Sequence, residues 1–176
     1  MKSESIKKAI EFAKNAHSGQ VRKYTGEPYV SHPIAVSKYL KLWHGESTDE
    51  MICAAILHDT VEDTDVTNFD IFTAFGSEVA TLVKWLTDIS CPEDGNRAAR
   101  KLKDRLHTRD APFEAQLIKC ADLIHNSKSI IRYDQSFAKV YLKEKRLTLD
   151  LMSDKTKGSA IFAVASIICD ANNFKG

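Results

Sequence analysis

The sequence predicts an all-α fold. Three observations carry that expectation. Apolar residues recur at helical spacing in almost every ordered segment. Helix-start and helix-stop residues punctuate those segments. No Asn-Gly or Asp-Gly turn joins two alternating apolar runs, and the one Asp-Gly pair, Asp94-Gly95, lies between helical patterns. We expect a bundle of eight or nine helices, and a chain of 176 residues fits a single domain over residues 1–176.

The elements follow in order. From Ser5 to His17, Ile6, Ala9, Ile10, Ala13 and Ala16 form one apolar stripe. The stretch SGQVRKYTGEPYVSH is a loop, basic at Arg22 and Lys23. Pro33 suits the first turn of a second helix running to about Trp43. Ser47-Thr48-Asp49-Glu50 matches a capping box with Ser47 as N-cap, opening a third helix that is apolar almost all round from Met51 to Leu57. Thr67 to Phe75 is a short helix stopped by Gly76, and Ser77 to Thr87 carries Val79, Leu82, Val83 and Leu86 at helical spacing. SCPEDGN is a loop and Ala98 to His107 a basic helix. Asp110 and Pro112 start a longer helix containing AQLIKCADLIHN. Two more helices fill Gln135 to Met152 and Lys157 to Asn172. On composition alone TNFDIF and SAIFAVASIICD also pass for strands.

Lys plus Arg total 25 and Asp plus Glu 24, giving a net charge of +1. That balance argues against nucleic acid or a membrane surface as partner, since neither polyanion meets an excess of positive charge. Cys53, Cys120 and Cys169 lie in apolar runs and read as small buried hydrophobes, and no Cys pair has C-x-x-C spacing. No apolar run reaches the ~20 residues a membrane helix needs, and the N-terminus lacks a signal-peptide core. A cytoplasmic location is expected.

The chemistry concentrates at Leu57-His58-Asp59-Thr60-Val61-Glu62-Asp63. On a continuous helix His58, Glu62, Asp59 and Asp63 stand near 0°, 40°, 100° and 140°, one sector. Burying that sector without partners costs several kcal/mol per charge, and a divalent cation supplies the missing positive charge. His32, before Pro33, and Asp122, in an apolar helical pattern, are further candidate ligands. Two imidazoles and two carboxylates suit Mn²⁺, Fe²⁺ or Zn²⁺, and ligand type alone does not choose among them. A lone His-Asp pair or a lone buried Asp is more often structural. Clustering with Glu62 and Asp63 on an apolar helix shifts the balance toward function.

The order His32, His58-Asp59, Asp122 resembles the HD phosphohydrolase superfamily. The segments AHSGQVRKYTGEPYVSHP, AAILHDTVEDT, FGSEVATLVKWLT and IKCADLIHN are similar to the hydrolase domain of RelA/SpoT-type alarmone enzymes, and most similar to the small stand-alone hydrolases of that family. The resemblance spans Ala16 to Asn126, and the last fifty residues carry no such motif. It implies an HD-domain helical bundle that hydrolyses the 3′-pyrophosphate of ppGpp or pppGpp, a small-molecule nucleotide substrate. It implies that His32, His58, Asp59 and Asp122 hold one Mn²⁺ and that Glu62 and Asp63 act on the attacking water. Arg22 and Lys23 are implied to hold the nucleotide and Asn126 its sugar. Arg100 and Lys101 resemble residues reaching the phosphates, although the Arg97 to Arg105 run equally suits a solvated helix face. The loop RKYTGEP has one residue more than the RKSGEP of many long relatives, which bears on base contacts from Tyr24 and Thr25. His17 reads as a core or helix-end histidine, His44 and His107 as surface residues, and His125 has no assigned role. Two alternatives stand beside this reading: the same centre acting on another nucleotide, such as the 2′-phosphate of NADPH, and a non-catalytic nucleotide sensor.

Overall fold

A computed structural model describes residues 3–171. In chain order they form α1 (Glu4–Ala16), α2 (Ser31–Trp43), α3 (Asp49–Leu57), α4 (Thr60–Asp63), α5 (Asn68–Phe75), α6 (Ser77–Leu86), a 3₁₀ turn (Pro92–Asp94), α7 (Arg97–Asp110), α8 (Phe113–Tyr133), α9 (Gln135–Asp150), α10 (Asp154–Lys157) and α11 (Ala160–Ala171). Among the described residues, nine helices have eight or more residues, and the only extended pairing is an isolated bridge between Val21 and Pro28. The all-α expectation therefore holds. Both ambiguous segments are helical. TNFDIF turns inward at a capping box, where the Thr67 hydroxyl accepts from Asp70 N–H while Asp70 accepts from Thr67 N–H. SAIFAVASIICD lies largely in α11, with Ile161, Phe162, Ala165 and Cys169 on its buried face.

The longest helix, α8, is the axis of the bundle and packs against α2, α6, α9 and α11. Leu117, Ile118, Cys120 and Ala121 on it are wholly inaccessible. Such burial is worth about 1.5–3 kcal/mol for each large side chain. Helix α3, apolar all round, is enclosed by α1, α2 and α6. These contacts hold α2, the end of α3 and the middle of α8 together, and those are the elements that carry the polar cluster.

Several boundaries differ from the expected ones for local reasons. The N-cap of α3 is Thr48, whose hydroxyl accepts from Met51 N–H at 3.2 Å. Ser47 instead donates to His44 O at 2.6 Å, so the expected capping box at Ser47 is absent. Helix α2 begins at Ser31, which puts His32 in its first turn, and Pro33 lacks only an N–H that the helix start leaves unpaired anyway. The helix expected over Lys157 to Asn172 divides into α10 and α11, and Asn172 lies outside the described residues. His44 and His107 are partly covered, the first edge-on to Phe113 and the second stacked on Trp85 with ring centroids 4.7 Å apart.

Gln116 fastens the corner between α7 and α8. It is 1% exposed. Its Nε2 donates toward the carbonyls of Thr108, Arg109 and Ala111 at 3.0–3.2 Å, at the end of α7, where Thr108 O also accepts from the Ala111 N–H. Its Oε1 accepts from Ser153 N–H, the Ser153 hydroxyl and the Thr156 hydroxyl, at 3.0, 3.0 and 2.6 Å. One amide thus joins the end of α7 to the start of α10.

Candidate metal centre and its flanking cavities

The end of α3 is where the sequence pattern and the backbone part company. The helix stops at Leu57, His58 and Asp59 form a turn, and α4 starts at Thr60. The Thr60 hydroxyl donates to the Leu57 carbonyl at 2.7 Å and so competes with continuation of α3. Asp59 sits at φ −94°, ψ −7°, in the sparsely occupied bridge region. The single-helix geometry expected for His58 to Asp63 therefore does not apply.

The break nevertheless gathers the predicted ligands. His32 Nε2 lies 3.4 Å from Asp59 Oδ2 and 3.1 Å from Asp122 Oδ1. His58 Nε2 lies 3.1 Å from Asp59 Oδ1 and 3.7 Å from Asp122 Oδ1. Donor atoms about 2.1 Å from one ion stand about 3.0–3.4 Å apart in octahedral or tetrahedral arrangements. His32, His58 and Asp59 form a group able to hold a metal ion, and Asp122 meets both histidines.

The chemistry of the donors also fits a divalent cation. His58 Nδ1 donates to Ala55 O at 2.8 Å, which leaves its Nε2 free to present a lone pair. That Nε2 is buried and makes no hydrogen bond. Burial alone lowers the His58 pKa, but the Asp59 and Asp122 carboxylates outweigh it and lift it to about 10, so that without an ion a proton takes the place of the metal on Nε2. Burial likewise opposes ionisation of Asp59 and Asp122, yet the two imidazoles hold both far below the usual carboxylate range. The pocket is built to keep two carboxylates ionised, and it demands positive charge.

Glu62 and Asp63 stand at the rim. Glu62 accepts from Asp88 N–H at 3.1 Å. Burial, then the nearby Asp88 carboxylate, raises its pKa. Asp63 accepts from the Tyr29 hydroxyl at 3.0 Å, and the same hydroxyl lies 2.7 Å from Asp59 Oδ2. Burial, then Asp59, raises the Asp63 pKa. His17, buried at the end of α1, meets Gln20 at 2.8 Å, and Gln20 in turn donates to Asp63 O at 2.9 Å.

Arg22 and Lys23 diverge. The loop folds back at Gly26, whose φ of +69° suits a residue without a side chain. Arg22 N–H donates to Glu27 O and Gly26 N–H to Arg22 O. Arg22 points inward and donates to Asn126 Oδ1 at 2.7 Å, while Asn126 Nδ2 donates to Asp122 Oδ1 at 2.7 Å. Lys23 is exposed, with its ammonium 4.9 Å from the centre of the Tyr24 ring. The Tyr24 hydroxyl is engaged by Asp134 at 3.0 Å.

Two cavities flank the cluster. One, of about 370 Å³, is lined by Arg97, Lys101, Arg105, Asn126, Tyr141 and Lys145 among others. The second, of about 200 Å³, is lined by Arg22, Thr25, His125, Lys128 and Arg132 among others. Lys101 is held by Asp88 at 3.0 Å and Asp104 at 3.4 Å. Arg100 lines neither cavity, and its Nε is buried without a partner. Positions 97, 101 and 105 share a face of α7 at i, i+4 and i+8, so the basic face includes Lys101 of the expected pair and leaves out Arg100. The sequence reading gave the Arg97 to Arg105 run a solvated helix face as its alternative and singled out neither Lys119 nor Lys145. Lys119 had a legible signal, because it stands one turn before Asp122 on the same helix and pairs with Asp88 at 3.6 Å.

The sequence profile of the HD domain matches residues 9–146. A protein of Aquifex aeolicus named guanosine-3′,5′-bis(diphosphate) 3′-pyrophosphohydrolase is 40% identical over 142 residues, which cover 81% of this chain and 20% of that protein. The zebrafish protein of the same name, MESH1, is 38% identical over 125 residues, covering 70% of this chain and 67% of its own. This chain thus spans a fifth of the first relative and two thirds of the second. A solved structure described as a metazoan ortholog of SpoT that hydrolyses ppGpp superposes with a TM-score of 0.84 at 26% identity, covering 97% of each chain.

Proposed function

The chain belongs to the HD-domain family, and on that premise we propose that it is a metal-dependent phosphohydrolase that removes the 3′-pyrophosphate of ppGpp or pppGpp. The products are pyrophosphate and GDP or GTP. The observation that carries the reading is the meeting of two imidazole nitrogens with the oxygens of two carboxylates at 3.1–3.7 Å, one of those nitrogens, His58 Nε2, being buried without a hydrogen bond. Relatives named for ppGpp hydrolysis support the substrate class.

His32, His58, Asp59 and Asp122 would hold the ion, which we assign as Mn²⁺. A bound divalent ion supplies Lewis acidity, lowering the pKa of water and polarising the phosphoryl oxygen. Glu62 and Asp63 orient the water and accept its proton, work suited to carboxylates whose pKa values are raised toward neutrality. Arg22 holds Asn126 and lines the smaller cavity, where a guanidinium plane is suited to stacking on a base. Asn126 joins that loop to the ligand Asp122 and stands where a sugar hydroxyl can reach it. Lys101, Arg105 and Lys145 give the larger cavity the positive charge that a pyrophosphate needs.

The test is hydrolysis by pure, chelator-treated protein, supplied separately with Mn²⁺ and Mg²⁺ and offered ppGpp, pppGpp and NADPH. Release of pyrophosphate from ppGpp with Mn²⁺ is expected, with little in Mg²⁺, because Mg²⁺ prefers oxygen donors. Full activity with Mg²⁺ alone would overturn the manganese assignment. Phosphate release from NADPH without ppGpp turnover would overturn the substrate.

A further inference from the structure

The ligand His32 has a second ring nitrogen, and its surroundings are unusual. His32 is 1% exposed, so water does not serve that nitrogen. Its Nδ1 lies 2.8 Å from Nδ1 of His125, and the two rings are tilted at 33° with centroids 4.9 Å apart. His125 is on α8 one turn beyond Asp122, so the same helix that brings a carboxylate to the cluster also brings this imidazole behind a histidine of the cluster. His125 also lines two cavities, one with Arg22 and Arg132, the other with Tyr39 and Leu42.

The hydrogen count decides what His125 does. A histidine that offers its Nε2 lone pair to a metal must carry its proton on Nδ1. In His32 that proton can go only toward His125 Nδ1, which must then accept. His125 is left with its own proton on Nε2, on the cavity side. The reverse arrangement, with His125 donating, would force a proton onto His32 Nε2 and point it at Asp59 and Asp122, where the ion belongs. A carboxylate or a backbone carbonyl usually takes this place behind a metal-bound histidine, as Ala55 O does behind His58.

We propose that His125 is a positioning residue for the metal centre: as a neutral hydrogen-bond acceptor it fixes the tautomer and ring orientation of His32. The inference rests on the ligand set proposed above, but not on the substrate. Because His125 also faces the Arg22 cavity, its free N–H is a donor for whatever occupies that space.

The experiment measures Mn²⁺ affinity of the full chain, without nucleotide, by competition with a chromophoric chelator. Thermal melting of the metal-free and Mn²⁺-loaded protein is read alongside. His125→Phe keeps the ring and removes the acceptor; His125→Asn keeps an acceptor oxygen near the position of Nδ1. Loss of such a supporting partner weakens metal binding about 10- to 100-fold, and that is expected for His125→Phe, with a smaller metal-induced rise in melting temperature. His125→Asn should bind within about threefold of the unaltered protein. Equal affinity of His125→Phe and the unaltered chain overturns the proposal, and so does His125→Asn binding as weakly as His125→Phe. Failure of ppGpp hydrolysis by a chain that binds Mn²⁺ in this graded way would refute the functional reading alone. Should His125→Phe not fold, the Asn variant decides: tight binding supports the acceptor role, and weak binding by a folded Asn variant refutes it.

Discussion

Replacing Glu62 by Gln separates a chemical role from a structural one. The side chain stands at the rim of the cluster, and it accepts a hydrogen bond from Asp88 N–H at 3.1 Å. An amide oxygen accepts that bond as well, so the fold should lose no more than about 0.5 kcal/mol, about 1–2 °C in Tm for a chain of this size. The amide cannot take a proton from water. Removing a general base costs about 10²- to 10⁴-fold in rate, which is about 3–5 kcal/mol of activation energy at 1.36 kcal/mol per decade. The barrier term is thus several times larger than the stability term. The pH profile adds a second readout. Burial and the Asp88 carboxylate raise the Glu62 pKa, and a base must be ionised to work. The rate of the unaltered enzyme therefore falls as pH drops through that raised value, at higher pH than an ordinary glutamate would give. Glu62→Gln should lose this acid limb while retaining its metal content. The assay is kcat against pH with metal content and Tm on the same preparation. A Glu62→Gln protein with near-normal kcat and an unchanged acid limb would falsify the assignment.

His58→Ala and Asp59→Ala should each lose bound metal together with activity; stoichiometric metal by mass spectrometry in either purified variant would show that the four-ligand set is wrong. Gln116→Leu removes the partner of the Arg109 and Ala111 carbonyls and of the Ser153 N–H, while Thr108 O keeps the Ala111 N–H and the Ser153 and Thr156 hydroxyls keep each other, at about 1–3 kcal/mol per buried group left unsatisfied. Allowing for hydroxyls that re-aim, we expect roughly 3 kcal/mol, or a fall of about 6–12 °C in Tm, and a fall under 3 °C would contradict it. Burial opposes ionisation of Asp88, but Lys119 and Lys101 hold its pKa down to about 2. A depressed carboxylate stabilises the fold above its ordinary pKa and loses that contribution as pH falls toward the folded value. Asp88→Asn should therefore cost about 1–2 kcal/mol at neutral pH, a deficit that narrows between about pH 4 and pH 2 in urea titrations; a deficit independent of pH would point to packing instead of charge.

Much of this was legible in the residues, and the failures are instructive. Helical period placed the long elements because burial of one face is what makes them stable. It could not say that α3 breaks at His58, since the break depends on one hydroxyl, Thr60, taking the Leu57 carbonyl. The cluster was found by residue type, although the single-helix geometry used to justify its shared sector does not exist. His32 and Asp122 met the pair because α2 and α8 both pack near the end of α3, a tertiary fact with no local signal. Arg100 and Lys101 came from the resemblance, whereas the cavity is lined at the helical register of Arg97, Lys101 and Arg105. Tyr29 was not singled out and His125 was given no role, because both act through hydrogen bonds to side chains distant in sequence.

The donors at positions 32, 58–59 and 122 come from three stretches of chain that meet only after α2, α3 and α8 have docked. An ion held there is a clasp that the unfolded chain cannot close. A ligand that binds only the native state adds about 2.7 kcal/mol when its free concentration is a hundredfold above its dissociation constant. With the proposed ion, the lifetime of this chain against proteolysis would follow the supply of metal around it. Starving the protein of manganese would then shorten its survival as well as stop its chemistry.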